Sequence, residues 1–284
     1  MIPSNLVKRI AVALVAIPTL FFLVYLGGWY LTTVVAVFAV IGAAEFFGLA
    51  ANNGVEPLRS AGGIIAGLIP VATYAAVNGV VSHQWLLAAA VTAVFVVGVG
   101  ALNRGPDSGP LAAVSTTLLS AAYTGGLSSA IILLRHLPDA PSAIAATWIV
   151  FLPAALTWAC DTLAMTGGSL IGGAKLAPRV SPNKTWAGAI IGGLGAVLLA
   201  PLYSRLFLVP AGVELSLVLL LTVGFVVGVL GQTGDLVESL FKREVGVKDS
   251  GTVFPGHGGV LDRLDSLYWV LPSTVIVFLA FGIV

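Results

Sequence analysis

Charged side chains are concentrated in one stretch of this chain, from Gly231 to Asp265. The stretch holds six of the 12 acidic residues and four of the 13 basic residues, while the rest of the chain is largely apolar. A membrane-embedded chain keeps ionisable groups where water, an opposite charge, a metal or a polar ligand compensates for their desolvation. The stretch is therefore a candidate functional site, and a solvated loop is the alternative interpretation.

Three carboxylates stand at the two ends of this stretch. Asp235 follows a long apolar run, and Asp262 and Asp265 stand three residues apart at the start of the last one, which would place both on one helix face. A favourable interaction with the helix dipole would explain the pair Asp262 and Asp265 but not Asp235. Carboxylates without a surrounding His or Cys set suit a hard cation such as Mg²⁺, with water and phosphate oxygens completing its shell.

The side chains between these carboxylates suit a phosphorylated ligand. Ser239 comes four residues after Asp235 on the same predicted helix face, which Lys242 and Arg243 would continue by another turn. The cations are Lys242, Arg243, Lys248 and Arg263 in this stretch, together with Lys175 and Lys184 from an earlier loop. Metal-binding carboxylates combined with such cations are typical of phosphoryl or nucleotidyl transfer, and the apolar chain suggests a lipid substrate.

A second polar segment precedes this stretch. Asp161 is predicted about two turns from the end of its helix, where an uncompensated carboxylate costs several kcal/mol, so we expect a cationic or metal partner. The following segment contains paired glycines, whose backbone N–H groups can face an anion, then Lys175, Ser181, Asn183 and Lys184. No G-x-x-x-x-G-K-[ST] pattern is present. Taken alone, this segment is better explained by turn chemistry.

The elements that must position these residues are membrane spans. The 284 residues are 58% hydrophobic and only 9% charged, whereas roughly a quarter of the residues in soluble proteins are charged. A span needs about 20 apolar residues, and on that basis we predict an all-α polytopic integral membrane protein. The nine predicted spans are 10–26, 29–50, 60–79, 84–101, 111–134, 144–167, 184–208, 215–233 and 266–284. The single cysteine excludes an intramolecular disulfide and a Cys/His zinc site.

Basic residues predict the orientation of these spans. With a cytoplasmic N-terminus, eleven Lys and Arg residues fall on the inner side and only Arg135 and Arg205 on the outer side. The C-terminus would then lie outside, and the polar loops at roughly 168–183 and 234–265 would share the cytoplasmic face and close around one ligand. Glu45, inside the second span, is expected to hydrogen-bond to a neighbouring helix rather than to act in catalysis.

The residues from Ser239 to Asp265 carry a resemblance to a known family. They are SLFKREVGVKDSGTVFPGHGGVLDRLD, which resembles the signature of the phosphatidate cytidylyltransferases, also called CDP-diacylglycerol synthases. Ser181-Pro-Asn-Lys-Thr185, with Asp161 upstream, resembles the companion motif of that family. The resemblance covers about residues 161–265 and is only general in the N-terminal half.

This resemblance implies a reaction and its requirements. CTP and phosphatidate would give CDP-diacylglycerol and pyrophosphate, with Mg²⁺ required and K⁺ suggested as a second cation. The phosphatidate phosphate is already ionised at neutral pH, so no general base is needed. Family members are dimers in the membrane, which for this chain implies a homodimer in a bacterial inner membrane with its site facing the cytoplasm. Residues 1–140 would form a scaffold that includes dimer contacts, and residues 141–284 would carry the site.

Roles for individual residues follow from the same resemblance. Asp235 and Asp262 would bind the metal, and Asp265 would be a further acidic member of the site. The substrate-binding set would comprise Asp161, Lys175, Ser181, Asn183, Lys184, Ser239, Lys242, Arg243, Lys248, His257 and Arg263. For His257, a phosphate hydrogen bond and a turn-fixing role are equally consistent with its glycine-rich surroundings.

Two other functions remain as alternatives. A CTP-dependent lipid kinase would use similar groups but would release CDP instead of pyrophosphate. A membrane transporter would place its polar site at the midplane between repeated halves, whereas here the acidic residues gather at one predicted face and no repeat is visible. The sequence contains nothing that indicates a nucleic-acid partner.

Overall fold

The computed structural model describes residues 4–136, 139–254 and 258–283. These residues form eleven α-helices and one two-stranded antiparallel sheet. The helices are α1 Ser4–Leu26, α2 Gly28–Asn52, α3 Arg59–Val77, α4 His83–Leu102, α5 Pro110–Ala121, α6 Ala130–His136, α7 Ala143–Ile171, α8 Trp186–Tyr203, α9 Leu217–Glu244, α10 Leu261–Leu264 and α11 Leu267–Ala280. The strands are β1 Lys175–Ala177 and β2 Ser181–Thr185.

The long helices confirm the predicted membrane architecture. Among the described residues, eight helical segments are long and apolar enough to cross a membrane, and Leu14–Leu26 adds a shorter apolar helix within α1. The eight are Gly28–Asn52, Arg59–Val77, Gln84–Leu102, Pro110–His136, Ala143–Ile171, Trp186–Ala211, Leu217–Glu244 and Leu261–Ala280. Every predicted span coincides with one of these helices. The side of the membrane on which each terminus lies stays a prediction.

The chain divides into two compact units. The first comprises Met1–Leu133 and Glu244–Leu264, and the second comprises Leu134–Arg243 and Asp265–Val284. In the first unit a core of small and aromatic residues joins α2, α3 and α5; its buried members are Ala39, Ala43, Phe47, Ala66 and Ala121. The proposed division of roles between residues 1–140 and 141–284 stays a prediction.

In the second unit, small residues let α7 and α8 approach each other backbone to backbone. A Cβ atom on Gly188 would lie 2.5 Å from the carbonyl oxygen of Ala164, and one on Gly192 would lie 2.6 Å from that of Cys160. Neither separation is tolerable for a larger residue, and small residues are typical of close contacts between membrane helices. This packing brings the second half of α7, which carries Asp161, beside the start of α8.

The segment after α7 differs from the loop that we predicted for residues 168–183. α7 continues to Ile171, and β1 then pairs with β2 in a hairpin. Gly172 and Gly173 make the turn between helix and hairpin with φ angles of 69° and 90°, a left-handed conformation that glycine adopts without strain. The strands are short and polar, so their sequence lacks the apolar alternation by which strands are recognised.

The polar stretch after the eighth span is helical at its two ends, where α9 continues and α10 forms. α9 continues to Glu244, well past the predicted span end at 233, and this confirms that the helix extends through Lys242 and Arg243. The last span begins irregularly, because Asp262 lies in the short helix α10 and Asp265 in the turn before α11. These two carboxylates therefore do not lie within one regular helix.

Candidate functional site

A cavity of about 780 Å³ lies in the second unit, within the size range of small-molecule sites. Its walls come from the second half of α7, the glycine turn, the hairpin, the start of α8, and α9. Six residues predicted for the site from sequence line it: Asp161, Lys175, Ser181, Asn183, Lys184 and Asp235. The structure thus brings together one group of the predicted residues around a space large enough for a nucleotide.

An ion pair between Lys184 and Asp235 joins the hairpin to α9 in this cavity. Lys184 Nζ lies 2.5 Å from Asp235 Oδ2, and both side chains are between a quarter and a third exposed. Ser239 donates its hydroxyl to Asp235 Oδ1 at 3.2 Å. Asp161 also interacts electrostatically with Lys184, which supplies the cationic partner that its position required. Lys184 is therefore shared by two carboxylates on different helices.

Asp265 belongs to the same acidic region of the second unit. Its carboxylate accepts a hydrogen bond from the Ser266 backbone at 2.6 Å, and it interacts electrostatically with Asp235, Asp161 and Lys242. The backbone of Asp265 packs closely against α9 because residue 234 is a glycine. A Cβ atom on Gly234 would lie 2.7 Å from the carbonyl oxygen of Asp265. The residue next to Asp235 thus has to be small for this turn to pack against α9.

The carboxylates of Asp161 and Asp235 fit a magnesium ion that binds together with phosphate groups. Among the described residues, no three His, Cys, Asp or Glu side chains are grouped closely enough to hold a metal by themselves. Mg²⁺, however, is usually bound through one or two carboxylates, with water and substrate phosphates as its other ligands. Asp161 and Asp235 line one cavity with two lysines, so the donor set suits a metal–phosphate complex and not a protein-only metal cage.

One residue of this cavity was missed by sequence reasoning. Gln232 lines it one helical turn before Asp235. Its amide nitrogen donates to the carbonyl oxygens of Gly228 at 2.7 Å and Ala189 at 3.1 Å. The available signal was an uncharged amide at the end of the eighth apolar run, which is a weak one because such residues also serve to join helices.

The basic residues at the end of α9 have protein partners. Lys242 is buried and lies 3.0 Å from Glu238 Oε1 one turn earlier. Arg243 donates from Nε to the carbonyl oxygen of Val180, in the turn of the hairpin, at 3.3 Å. Neither residue lines the cavity described above, and their contact with phosphate stays a prediction.

Asp262 is held in the first unit by a compact hydrogen-bond network. Its Oδ2 atom accepts hydrogen bonds from the backbone N–H and hydroxyl of Ser250 and from the backbone N–H of Gly259, each at 2.8 Å. The side chain is only 7% exposed. Lys248 and Arg263 of the same unit are exposed, and His257 lies outside the described residues.

Glu45 of α2 holds the same segment from the other side. Its carboxylate accepts backbone hydrogen bonds from Val260 at 3.0 Å and Leu261 at 2.9 Å, and one from the Ser250 hydroxyl at 3.3 Å. It therefore caps the start of α10, where backbone N–H groups lack helical partners. The expected hydrogen-bonding role is confirmed, although the partners are a loop and a short helix that the sequence did not indicate.

Asp235 and Asp262 belong to different compact units. The shared metal site predicted for these two residues and Asp265 therefore stays a prediction.

A helical membrane protein with a cavity lined by lysines and carboxylates is equipped to bind a metal–phosphate ligand. Comparison with known families is consistent with this. The cytidylyltransferase family matches residues 7–281, and the chain belongs to that family.

Three similar proteins carry the name phosphatidate cytidylyltransferase. The one from Rickettsia bellii is 42% identical over 127 residues, covering 44% of this chain and 55% of that protein. The one from Brucella abortus is 49% identical over 121 residues, or 43% of each chain. The one from Staphylococcus haemolyticus is 50% identical over 117 residues, covering 41% and 44%. The matched region thus spans about half the length of these curated relatives.

Proposed function

We propose that this protein is a phosphatidate cytidylyltransferase, which transfers the cytidylyl group of CTP to phosphatidate and releases pyrophosphate. The observation that carries the proposal is the cavity in which Lys184 is shared by Asp161 and Asp235, in a chain that belongs to the cytidylyltransferase family. The names of the relatives support the choice of lipid substrate. The product would be CDP-diacylglycerol, for phospholipid biosynthesis.

The chemistry needs charge compensation more than proton transfer. A phosphate oxygen of phosphatidate would attack the α-phosphorus of CTP, so that one P–O bond forms while the bond to the β-phosphate breaks and pyrophosphate leaves. Two polyanions must approach each other in line, which requires positioning and neutralisation of charge by fixed groups. Lys175 and Lys184, both in the cavity wall, would provide cations for the CTP phosphates.

The carboxylates would hold the metal. Asp161 and Asp235 would be ligands from the cavity, and Asp262 and Asp265 are proposed as further acidic members. Bound Mg²⁺ would neutralise phosphate charge and favour departure of pyrophosphate. Lys184, which now pairs with Asp235, would be able to move its ammonium group to a phosphate oxygen once another cation satisfies that carboxylate. K⁺ is proposed as a second cation in the same acidic region.

We also propose which side of the membrane the site faces and how the protein assembles. The site would face the cytoplasm of a bacterial inner membrane, where both CTP and the lipid are accessible, and the protein would act as a homodimer. The excess of Lys and Arg on one predicted side supports this orientation.

Product analysis with the purified protein in lipid nanodiscs tests the proposal. CTP labelled in its α-phosphate should transfer label to the lipid together with stoichiometric pyrophosphate. A CTP-dependent lipid kinase would instead transfer label from the γ-phosphate and release CDP, and a transporter would form neither product. Either result would overturn the proposed function.

A variant of Asp235 tests the role of the cavity. Asp235→Asn keeps the size of the side chain but removes a ligand charge and the ion pair with Lys184, and we expect pyrophosphate release to fall at least about 100-fold. Asp107→Asn, at an exposed position of the first unit, is the matched control and should retain activity. Near-normal turnover of Asp235→Asn would contradict the assignment.

A further inference from the structure

Gln232 has an unusual position for an uncharged polar residue. It is half-buried on α9 within a segment long and apolar enough to span a membrane, and it lines the cavity that contains Asp161 and Asp235. A buried amide is costly unless its donors and its acceptor are satisfied. The partners of its two ends therefore indicate what this residue does.

The nitrogen end of the amide has a fixed place. Nε2 donates to the carbonyl oxygen of Gly228 at 2.7 Å and to that of Ala189 at 3.1 Å, and lies 3.7 Å from Cys160 Sγ. Because both carbonyl oxygens can only accept, the chemistry requires the NH₂ group at this position and settles the orientation of the amide. Turning the amide over would place an oxygen against two oxygens.

The oxygen end of the amide has no comparable protein partner. Across residues 4–136, 139–254 and 258–283, the hydrogen bonds of the Gln232 side chain all run from Nε2, and none is formed to Oε1. A carbonyl oxygen that is held in one orientation, in the wall of a cavity, is a ready acceptor for a donor on a ligand. The neighbouring wall consists of small residues, Ala164, Gly188 and Ala189, which leave room for a flat ring.

We propose that Gln232 selects the cytosine base, by accepting a hydrogen bond from its exocyclic 4-amino group. This inference rests on the proposed function, because it takes CTP as the nucleotide in the cavity. The base would lie toward Gln232, and the phosphates toward Lys175 and Lys184. Uracil carries a carbonyl oxygen where cytosine carries the amino group, so UTP would set one acceptor against another.

The locked amide is what makes this discrimination effective. A glutamine that is free to rotate would offer its NH₂ group to uracil, but here that rotation breaks the hydrogen bonds to Gly228 and Ala189. Sites built around a fixed hydrogen-bonding group reject analogues that leave the group unpaired. We expect this one contact to contribute about 10- to 100-fold to the preference for CTP over UTP.

Steady-state kinetics with Gln232→Met tests the proposal. Methionine has a similar length and a helix-compatible side chain but cannot accept a strong hydrogen bond. The ratio of kcat/KM for CTP to that for UTP should fall about 10- to 100-fold, mainly through a higher KM for CTP. Thr233→Val is the matched control, because the Thr233 hydroxyl donates to Val229 of its own helix and the residue does not line the cavity. An unchanged ratio, or an equal loss with both nucleotides, would overturn the inference.

A substrate analogue provides a second test that needs no mutation. The triphosphate of the pyrimidin-2-one ribonucleoside lacks only the 4-amino group of CTP. The wild-type protein should use it about tenfold or more less efficiently than CTP, and Gln232→Met should lose this difference. Equal use of both by the wild-type protein would refute the contact, even if the variant fails to fold. A wild-type protein that forms no lipid product from CTP would instead overturn the proposed function.

Discussion

Replacing Glu45 by glutamine should loosen the segment that carries Asp262. The two oxygens of Glu45 accept from different donors, Oε1 from Val260 N–H and Oε2 from Leu261 N–H and the Ser250 hydroxyl. Glutamine has only one oxygen, so in either orientation its NH₂ group faces a backbone N–H. At least one hydrogen bond is then lost, and a buried donor is left without a partner.

The size of this effect follows from the burial of the site. Glu45 is only 9% exposed, so water cannot readily replace the lost partner. An unsatisfied buried donor costs about 1–3 kcal/mol, which corresponds to about a 5- to 150-fold increase in the local opening equilibrium. Space is also limited, because Cβ atoms on Gly251 or Gly259 would overlap the Glu45 carboxylate. The surrounding backbone therefore has little room to adjust.

Hydrogen exchange followed by mass spectrometry measures this opening directly. In nanodisc-embedded Glu45→Gln protein, the amides of residues 248–254 and 258–262 should exchange about 5- to 150-fold faster, while those of α8 should keep their wild-type protection. Glu56→Gln, at an exposed position in the same unit, is the control and should leave both regions unchanged. Wild-type exchange of residues 248–254 and 258–262 in Glu45→Gln would refute the reasoning that this carboxylate holds the segment.

Two further predictions concern the cavity in the second unit. Gly172→Ala should lower the free energy of unfolding by about 1–3 kcal/mol, since φ is 69° and ψ is −136°, a conformation that side-chain-bearing residues rarely adopt, while no neighbouring atom opposes a Cβ atom there. The control is Gly98→Ala, inside α4 with open space around it, which should be neutral or stabilising by up to about 1 kcal/mol. Equal melting temperatures of the two variants would contradict the prediction for Gly172. Lys184→Gln should change the free energy of unfolding by less than about 1 kcal/mol, because the ion pair with Asp235 is partly exposed. The same substitution should reduce CTP-dependent turnover more than about tenfold, because it removes a cation from the cavity. Unchanged turnover would make Lys184 a structural partner of Asp235 only.

Much of the fold could be predicted because span formation is a local property. An apolar run of sufficient length forms a helix in a membrane since every backbone polar group must be satisfied within the segment. The nine runs therefore coincide with helices, and the extension of α9 through Arg243 followed from its charge spacing. The hairpin between α7 and α8 was missed, because its strands are held by pairing and not by any apolar pattern.

The composition of the candidate site could be predicted only in part. Residue types and spacing identified Lys184 and Asp235 as members, the family resemblance added Asp161, and all three line one cavity. These residues reach the same cavity because α7 packs closely against α8, which glycines at the contact permit. Gln232 had no signal in the sequence that distinguished it from an ordinary helix-joining amide.

The sequence by itself determined the membrane spans, the polar segments and the family to which the chain belongs, because these depend on local composition and on runs of residues. Only the tertiary structure decided which partners those residues have. It pairs Lys184 with Asp235, locks the amide of Gln232 against Ala189, and joins Glu45 to Leu261, 216 positions later in the chain. Such contacts depend on which helices pack together and how closely, so no local pattern contains them.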